Sequence, residues 1–501
     1  MKSFIRLLVV FLLSLSFNSV LTGQTKISYE AEILKTHEIY KDISVLKGNV
    51  IFSHEGTLLY CDSAYFYQKE SKINAFSNIR IKVSDTLDIY GDTLIYDGNT
   101  KIAEIINNVR LVDNNTTLTT NYLNYNRISG IASYFNGGKI VDKENVLTSK
   151  IGHYFTSKKQ FFFKNDVKLT NPKYNITSDT LMFNTSTEIA YFFGPTVITS
   201  KDNKIYCENG WYNTKTDVSR FSKNSWIQTK NQYLEGDSIV YDRNIGLGIA
   251  YNNVVLIDTV KNIVVKGNYI ENNELLGKSL ITDNALAIFI DKQDSLFIHG
   301  DTLRAKYDTL DNVEYFLAYN KVKFFKSDIQ GMCDSLSFLM IDSIMNMYHK
   351  PVLWNDKNQL TADTISLIIG NNVIKELYLK NNSFIIEESD SNKFNQAKGK
   401  YSYGYFMNNE LYKVEVKGNS ETIYYMKEDG SEDIIGINKA ISSDLLILFK
   451  DKKVQSITFI NKPEGTMYPV DELPVNERTL KGFNWQAMHR PLVPLDVFKW
   501  K

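Results

Sequence analysis

The sequence predicts an all-β chain, an elongated array of units of about 29 residues folded as a β-solenoid or an open β-jelly roll. Three observations predict it: a sheet-favouring composition, one phrase recurring at near-constant spacing, and apolar side chains alternating along that phrase. Tyr (31) and Phe (28) are abundant among the 501 residues and Pro (8) is scarce. Ile, Val, Thr and Asn are also frequent, which favours pleated sheet over helix. The 43% hydrophobic fraction can fill a core, and Lys plus Arg (57) balances Asp plus Glu (57). A nucleic-acid surface carries a basic excess, so no nucleic-acid partner is expected.

The first element is an export signal. Lys2 and Arg6 precede an apolar run from Leu7 to Leu15, and Ser19, Thr22 and Gly23 follow. This is a secretory pattern, with residues 1–23 as the cleaved segment. The run is short for a membrane span of about 20 residues.

The repeat comes next. Asp62-Ser63-Ala64-Tyr65-Phe66 returns as Asp92-Thr93-Leu94-Ile95-Tyr96, then in the same frame from Asn121, Lys150, Asp179, Glu208 and Asp237. The steps are 30, 29, 29, 29, 29 and 29 residues. Later copies are placed at Gly267, Asp301, Asp334 and Asp363, with weaker ones near Gly399 and Ser443. Such a unit cannot bury its apolar face alone, so stacking neighbours must supply the core.

Each unit reads as a strand such as 86–97 followed by a shorter strand into a corner, such as 102–111. Polar turns, for example 68–72 and 97–101, separate the two. Asn-Asn, Asn-Gly, Gly-Pro and Lys-Pro pairs mark the corners, because Gly and Asn tolerate positive φ and Pro fixes φ. The position before the Asp slot takes mostly small residues: Cys61, Gly91, Thr120, Ser149, Ser178, Cys207, Gly236, Lys266, Gly300, Cys333 and Ala362. All three cysteines fall there. Several stacked rungs of about 4.8 Å separate Cys61 from Cys207, beyond disulfide reach. Buried free thiols are expected.

Strand side chains alternate, so residues two and four places after the Asp slot share a face. The fourth place holds Phe66, Tyr96, Tyr125, Tyr154, Phe183, Tyr212 and Tyr241. The second holds Ala64, Leu94, Leu123, Gly152, Leu181, Gly210 and Ile239. By themselves these residues leave a packed core and an open groove as alternatives.

Leu46-Lys47-Gly48-Asn49-Val50-Ile51-Phe52, Tyr90-Gly91-Asp92-Thr93-Leu94-Ile95-Tyr96 and Ile102-Ala103-Glu104-Ile105-Ile106-Asn107-Asn108-Val109 together resemble the OstA-like family. That family includes LptA and the N-terminal domain of LptD. The likeness is strongest over about 28–260. It implies a V-shaped jelly roll in the periplasm that carries lipopolysaccharide, with acyl chains between two sheets. It implies edge-strand pairing with an inner-membrane LptC-like protein and an outer-membrane LptD-like protein, and leaves outer-membrane association open. The resemblance favours a groove, for which the candidates are Phe66, Leu94, Tyr96, Leu123, Tyr125, Tyr154, Leu181, Phe183, Tyr212, Ile239 and Tyr241. The chain is longer than a minimal LptA-like protein and lacks a long C-terminal segment of alternating barrel strands. The expected organisation is jelly-roll repeats over 24–290, more divergent repeats over 291–469, and a tail from 470 to 501.

The alternatives are a polysaccharide-active enzyme on a β-helix and a surface structural or adhesion protein. The enzyme needs carboxylates gathered on one exposed face. Asp62, Asp92, Asp179 and Asp237 do align, but Asn121, Lys150 and Glu208 interrupt them, as at a turn or edge. The six histidines are scattered without ligand spacing, and no nucleophile-elbow, P-loop or zincin motif occurs. No catalytic residue, metal or cofactor is expected. In the tail, Phe483, Trp485 and Arg490 are candidates either for a cap over the last rung or for docking to a partner.

Overall fold

The computed structural model describes residues 26–500 except 293, 309–311, 371–372, 408–409, 429–430, 432, 452 and 471. The expected signal segment lies outside these. Among the described residues the regular structure is antiparallel strand, with single-turn 3₁₀ helices such as Thr156–Lys158 and Pro494–Phe498. The chain divides into two units, Met1–Leu169 and Thr170–Lys501. The division falls inside the segment 24–290.

One repeat makes two strands. In the first unit these are Leu87–Asp97 and Ile102–Asp113. In the second they are, for example, Gln232–Asp242 and Leu247–Asp258. The second strand is as long as the first, not shorter. Successive strands pair antiparallel as a meander, with Ile73 opposite Tyr96 and Tyr96 opposite Ala103. An antiparallel meander is the jelly-roll form of the expected fold. The ladder breaks at mid-strand, between Phe76 and Ile79, Tyr90 and Thr93, and Ile106 and Val109. It breaks likewise between Tyr251 and Val254 in the second unit.

The break is a two-residue left-handed corner. Asn107 and Asn108 have φ of 63° and 49°, and Asn252 and Asn253 have 55° and 51°. Asn accepts this region because its short amide bonds locally. The corner drops two residues from the ladder and bends the strand. One half of each strand then lies in a first layer and the other half in a second, facing layer.

The Asp slot holds the corner. Asn78 donates to Asp62 at 2.8 Å, Asn108 to Asp92 at 2.6 Å, Asn224 to Glu208 at 2.9 Å and Asn382 to Asp363 at 3.1 Å. In the copy with Lys150 in the slot, the corner residue is Asp166 and the pair becomes a salt bridge. The interruption that Lys150 makes in the row is thus the same staple turned around, with the donor in the slot and the carboxylate at the corner. One sequence frame is corrected here. Val254 stands opposite Gly267 and Tyr251 opposite Tyr269, so Gly267 is the small residue and Asn268 the slot residue. Asn268 donates to Asp283 at 3.2 Å. The reason is the turn that precedes it, which has four residues, 259–262, where the equivalent turn before Gln232 has two, 230–231.

At glycines in the small slot, a side chain of the paired neighbouring strand fills the space a Cβ would need. A Cβ on Gly91 would stand 2.3 Å from Ile105 Cγ2, and one on Gly399 2.4 Å from Val416 Cγ1. Inward side chains from both layers meet as a core. Leu94, Leu123 and Leu181 are completely buried.

The tail after Tyr468 is neither a cap on the last rung nor a free peptide. It runs back across the outer face of its own unit. Phe483 and Trp485 pack on Phe394 at 5.3 and 5.1 Å, over a cluster of Phe384, Ile386, Ile423, Tyr425 and Ile437. Buried glutamines hold its backbone. Gln396 donates to Arg478 O and accepts from Leu480 N, each at 2.8 Å. Gln359 does the same with Asn484 O and Gln486 N, each at 2.7 Å. Arg490 donates to Gln330 Oε1 at 2.7 Å and to Asp356 O at 2.6 Å. Phe483, Trp485 and Arg490 are therefore engaged within the chain.

Two outcomes are expected. Gly91→Ala should cost about 1–3 kcal/mol by overpacking Ile105, read by denaturant unfolding. Gln359→Ala should cost about 1–3 kcal/mol, because two tail backbone groups lose their partner, and should raise proteolysis within 470–500.

Candidate binding groove

The same repeat encloses two different interiors. In the first unit, Phe66, Leu94, Tyr96, Leu123, Tyr125 and Tyr154 are all buried. The space left between Phe52, Ile81, Tyr96 and Tyr125 is about 20 Å³, room for about one water. Rings fill it: Phe52 lies 5.7 Å from Phe66, and Tyr154 stacks on Phe161 at 4.1 Å.

Polar contacts close the mouth of that unit. One layer ends at His54, Glu55 and Asp113, and the facing layer at Tyr96, Lys101, Arg127, Tyr154 and Lys159. His54 Nδ1 and Tyr96 OH share a hydrogen bond of 2.7 Å. Arg127 donates to Tyr96 OH at 3.1 Å and to Glu55 O at 3.3 Å. Lys101 pairs with Glu55 at 2.6 Å. Tyr154 OH and Lys159 Nζ both donate to Asp113 Oδ2, at 2.5 and 2.6 Å. Burial and then Asp113 push the Tyr154 phenol up, so it stays protonated and donates.

In the second unit the layers part and enclose a groove of about 1380 Å³. This exceeds the roughly 300–1,000 Å³ of an ordinary small-molecule pocket. Tyr212, Ile239 and Tyr241 line it from one layer, and Ile176, Ile205, Ile227 and Leu234 from the other. Leu181 and Phe183 are buried beside it and do not line it. Tyr174 meets Tyr212 across the mouth at 5.8 Å, and Lys261 lies 4.4 Å over the Tyr307 ring. Past these the interior fills again with Phe316, Phe324, Met345 and Met347.

The sequence reading missed the opposite wall. Its signal was present three places before the Asp slot, at Leu59, Ile89, Leu118, Leu147, Ile176, Ile205 and Leu234. Every one of these is aliphatic, and Ile176, Ile205 and Leu234 line the groove.

Comparison with known proteins bears on the first unit. Residues 25–179 match the family model of the OstA-like protein. The OstA-like segment so defined contains the closed interior, whereas Tyr212, Ile239 and Tyr241 lie beyond it. Among solved structures the chain is similar to LptH of Pseudomonas aeruginosa, described as the LptA-homologous periplasmic component of a lipopolysaccharide transport device. The identity is 18%, over 20% of this chain and 75% of that one, with a TM-score of 0.19. No curated protein matches the chain.

The constellation Cys61-Asp62-Ser63, which opens an OstA-like repeat, has no catalytic geometry. Cys61, Cys207 and Cys333 are free and buried. Burial pushes each thiol up to about 12, so no thiolate forms near neutral pH. Asp62 is taken up by Asn78. Among the described residues no three His, Cys, Asp or Glu side chains gather as a metal site. The three thiols should resist a maleimide at pH 7.5 in the folded chain and react fully in denaturant, as counted by mass spectrometry.

Proposed function

We propose that the chain is a non-catalytic periplasmic carrier of lipopolysaccharide, and that the groove of the second unit holds its acyl chains. The observation that carries this is an apolar trough of about 1380 Å³ between two facing layers. Aliphatic and aromatic walls let a chain leave water, worth about 0.8 kcal/mol per buried CH₂, or about 11 kcal/mol for a chain of fourteen carbons. Lys173, Lys201 and Arg243 stand at the rim, where a polar head would remain in water. The OstA-like match over 25–179 supports the transport reading, and the signal pattern at 1–23 supports export. Open end strands would pair with LptC-like and LptD-like proteins by strand addition, bridging the inner and outer membranes. A periplasmic bridge of this kind contributes to outer-membrane assembly.

In-cell photo-crosslinking tests the reading. A crosslinker at Ile239 or Tyr241 should give a lipopolysaccharide adduct, and one at the turn residues Lys69 or Asn99 should not. Ala250→Trp, which fills the groove from its floor, should lower the Tyr241 adduct about tenfold, equivalent to about 1.4 kcal/mol. No adduct at Ile239 or Tyr241 in a folded, exported chain would rule the reading out.

A further inference from the structure

We propose that the polar contacts across the mouth of the first unit form a gate, a closed state that keeps acyl chains out until those contacts part. What the gate excludes rests on the lipid reading above. The closed state rests on the unit's own geometry.

Three features support a gate over a permanently packed core. The seal is polar and lies at the rim. Lys101 and Glu55 are 27% and 30% exposed, so water can replace each partner of this pair when the layers separate, and such ion pairs are individually weak; in the second pair Lys159 is 35% exposed and Asp113 is buried at 2%. The two ionic locks, at Glu55 and at Asp113, each join opposite layers. Parting them opens the mouth without breaking a strand ladder.

The third feature is a pair of aspartates in one frame position. Asp113 stands five residues after the corner Asn108, and Asp258 five after Asn253. In the open second unit Asp258 stays within its own layer. It accepts from Val260 N at 3.0 Å, Lys261 N at 2.8 Å and Gln232 Nε2 at 2.9 Å. Burial acts to raise its pKa, but the Lys261 N–H, the Gln232 amide and the Lys261 charge outweigh it and hold the carboxyl below the usual range. In the closed unit Asp113 reaches across to Tyr154 and Lys159 with Oδ2, while Oδ1 already accepts from Asn114 in its own turn at 3.0 Å. Equivalent aspartates of the repeat thus take two arrangements, across the mouth at Asp113 and along its own layer at Asp258. That is a two-state element whose balance its partners bias.

Spin labels on Asp85→Cys and Thr100→Cys, at the tips of the two layers, read the mouth of the full-length chain. The native thiols are buried and will not take the label. The otherwise unchanged chain should give one short separation. Glu55→Ala with Asp113→Ala should raise a longer-distance population about tenfold from a minor state. Should that variant fail to fold, the same labels in the unaltered clasp should shift the same way between about 0.01 and 1 M salt, as the ion pairs are screened. A single short separation in a folded double variant, or one indifferent to salt, overturns the gate. A crosslinker at Tyr125 adds the lipid readout: a lipopolysaccharide adduct about tenfold stronger in the double variant supports exclusion by the clasp. If distances shift while neither Tyr125 nor Tyr241 ever gives an adduct, the gate stands and the lipid reading falls. If Tyr241 gives an adduct and the distances do not move, the reverse holds.

Discussion

The paired left-handed corner is the constraint on which the rest of the structure depends. Two consecutive residues with φ near 50–60° cost backbone strain that only Gly, Asn or Asp carries cheaply. The cost is offset by a hydrogen bond or ion pair to the slot residue on the neighbouring strand, as in Asn108 to Asp92. Because the staple joins adjacent strands, each corner positions the next. The strands all bend at one line, and the two halves become two facing layers. The Lys150–Asp166 copy keeps the staple with donor and carboxylate in swapped places. The requirement is therefore for a complementary pair, not for aspartate.

Once the layers exist, the chemistry at their tips decides what lies between them. Tyr96 and Tyr241 occupy the same place in the repeat. Tyr96 is tied across the mouth to His54 and accepts from Arg127 of its own layer. Tyr241 leans on Glu274 of its own layer, at 3.4 Å, and lines the groove. Polar contacts at the rim and packed rings such as Phe52 and Phe66 go with the space of about 20 Å³, and their absence at Tyr241 with the one of about 1380 Å³.

The tail solves a different problem. The outer face of the late strands carries Phe384, Ile423, Tyr425 and Ile437, too apolar to leave in water. Laying 470–500 across them buries that face. Gln359 and Gln396 supply backbone hydrogen bonds that an extended segment needs when it crosses strands and cannot join their ladder, and Gln330 accepts from the Arg490 side chain. Glutamine fits because it offers a donor and an acceptor at once.

The sequence by itself determined what repeats locally. Strand alternation placed Leu94, Leu123 and Ile239 inward, since a period of two leaves no other choice once one face is apolar. The slot rule made Cys61, Cys207 and Cys333 small buried residues. The corner pairs were legible because Asn and Gly announce positive φ. Tertiary structure alone decided three things. It moved the slot to Asn268, since a turn can lengthen from two residues to four while the ladder keeps its pairing. It turned Phe483, Trp485 and Arg490 onto their own chain, through partners as distant in sequence as Gln330, 160 residues away. And it closed one interior while opening the other, because that outcome rests on contacts such as Tyr154 to Asp113 across 41 residues. Each of those contacts joins two repeats through their tips, and no single repeat contains the information.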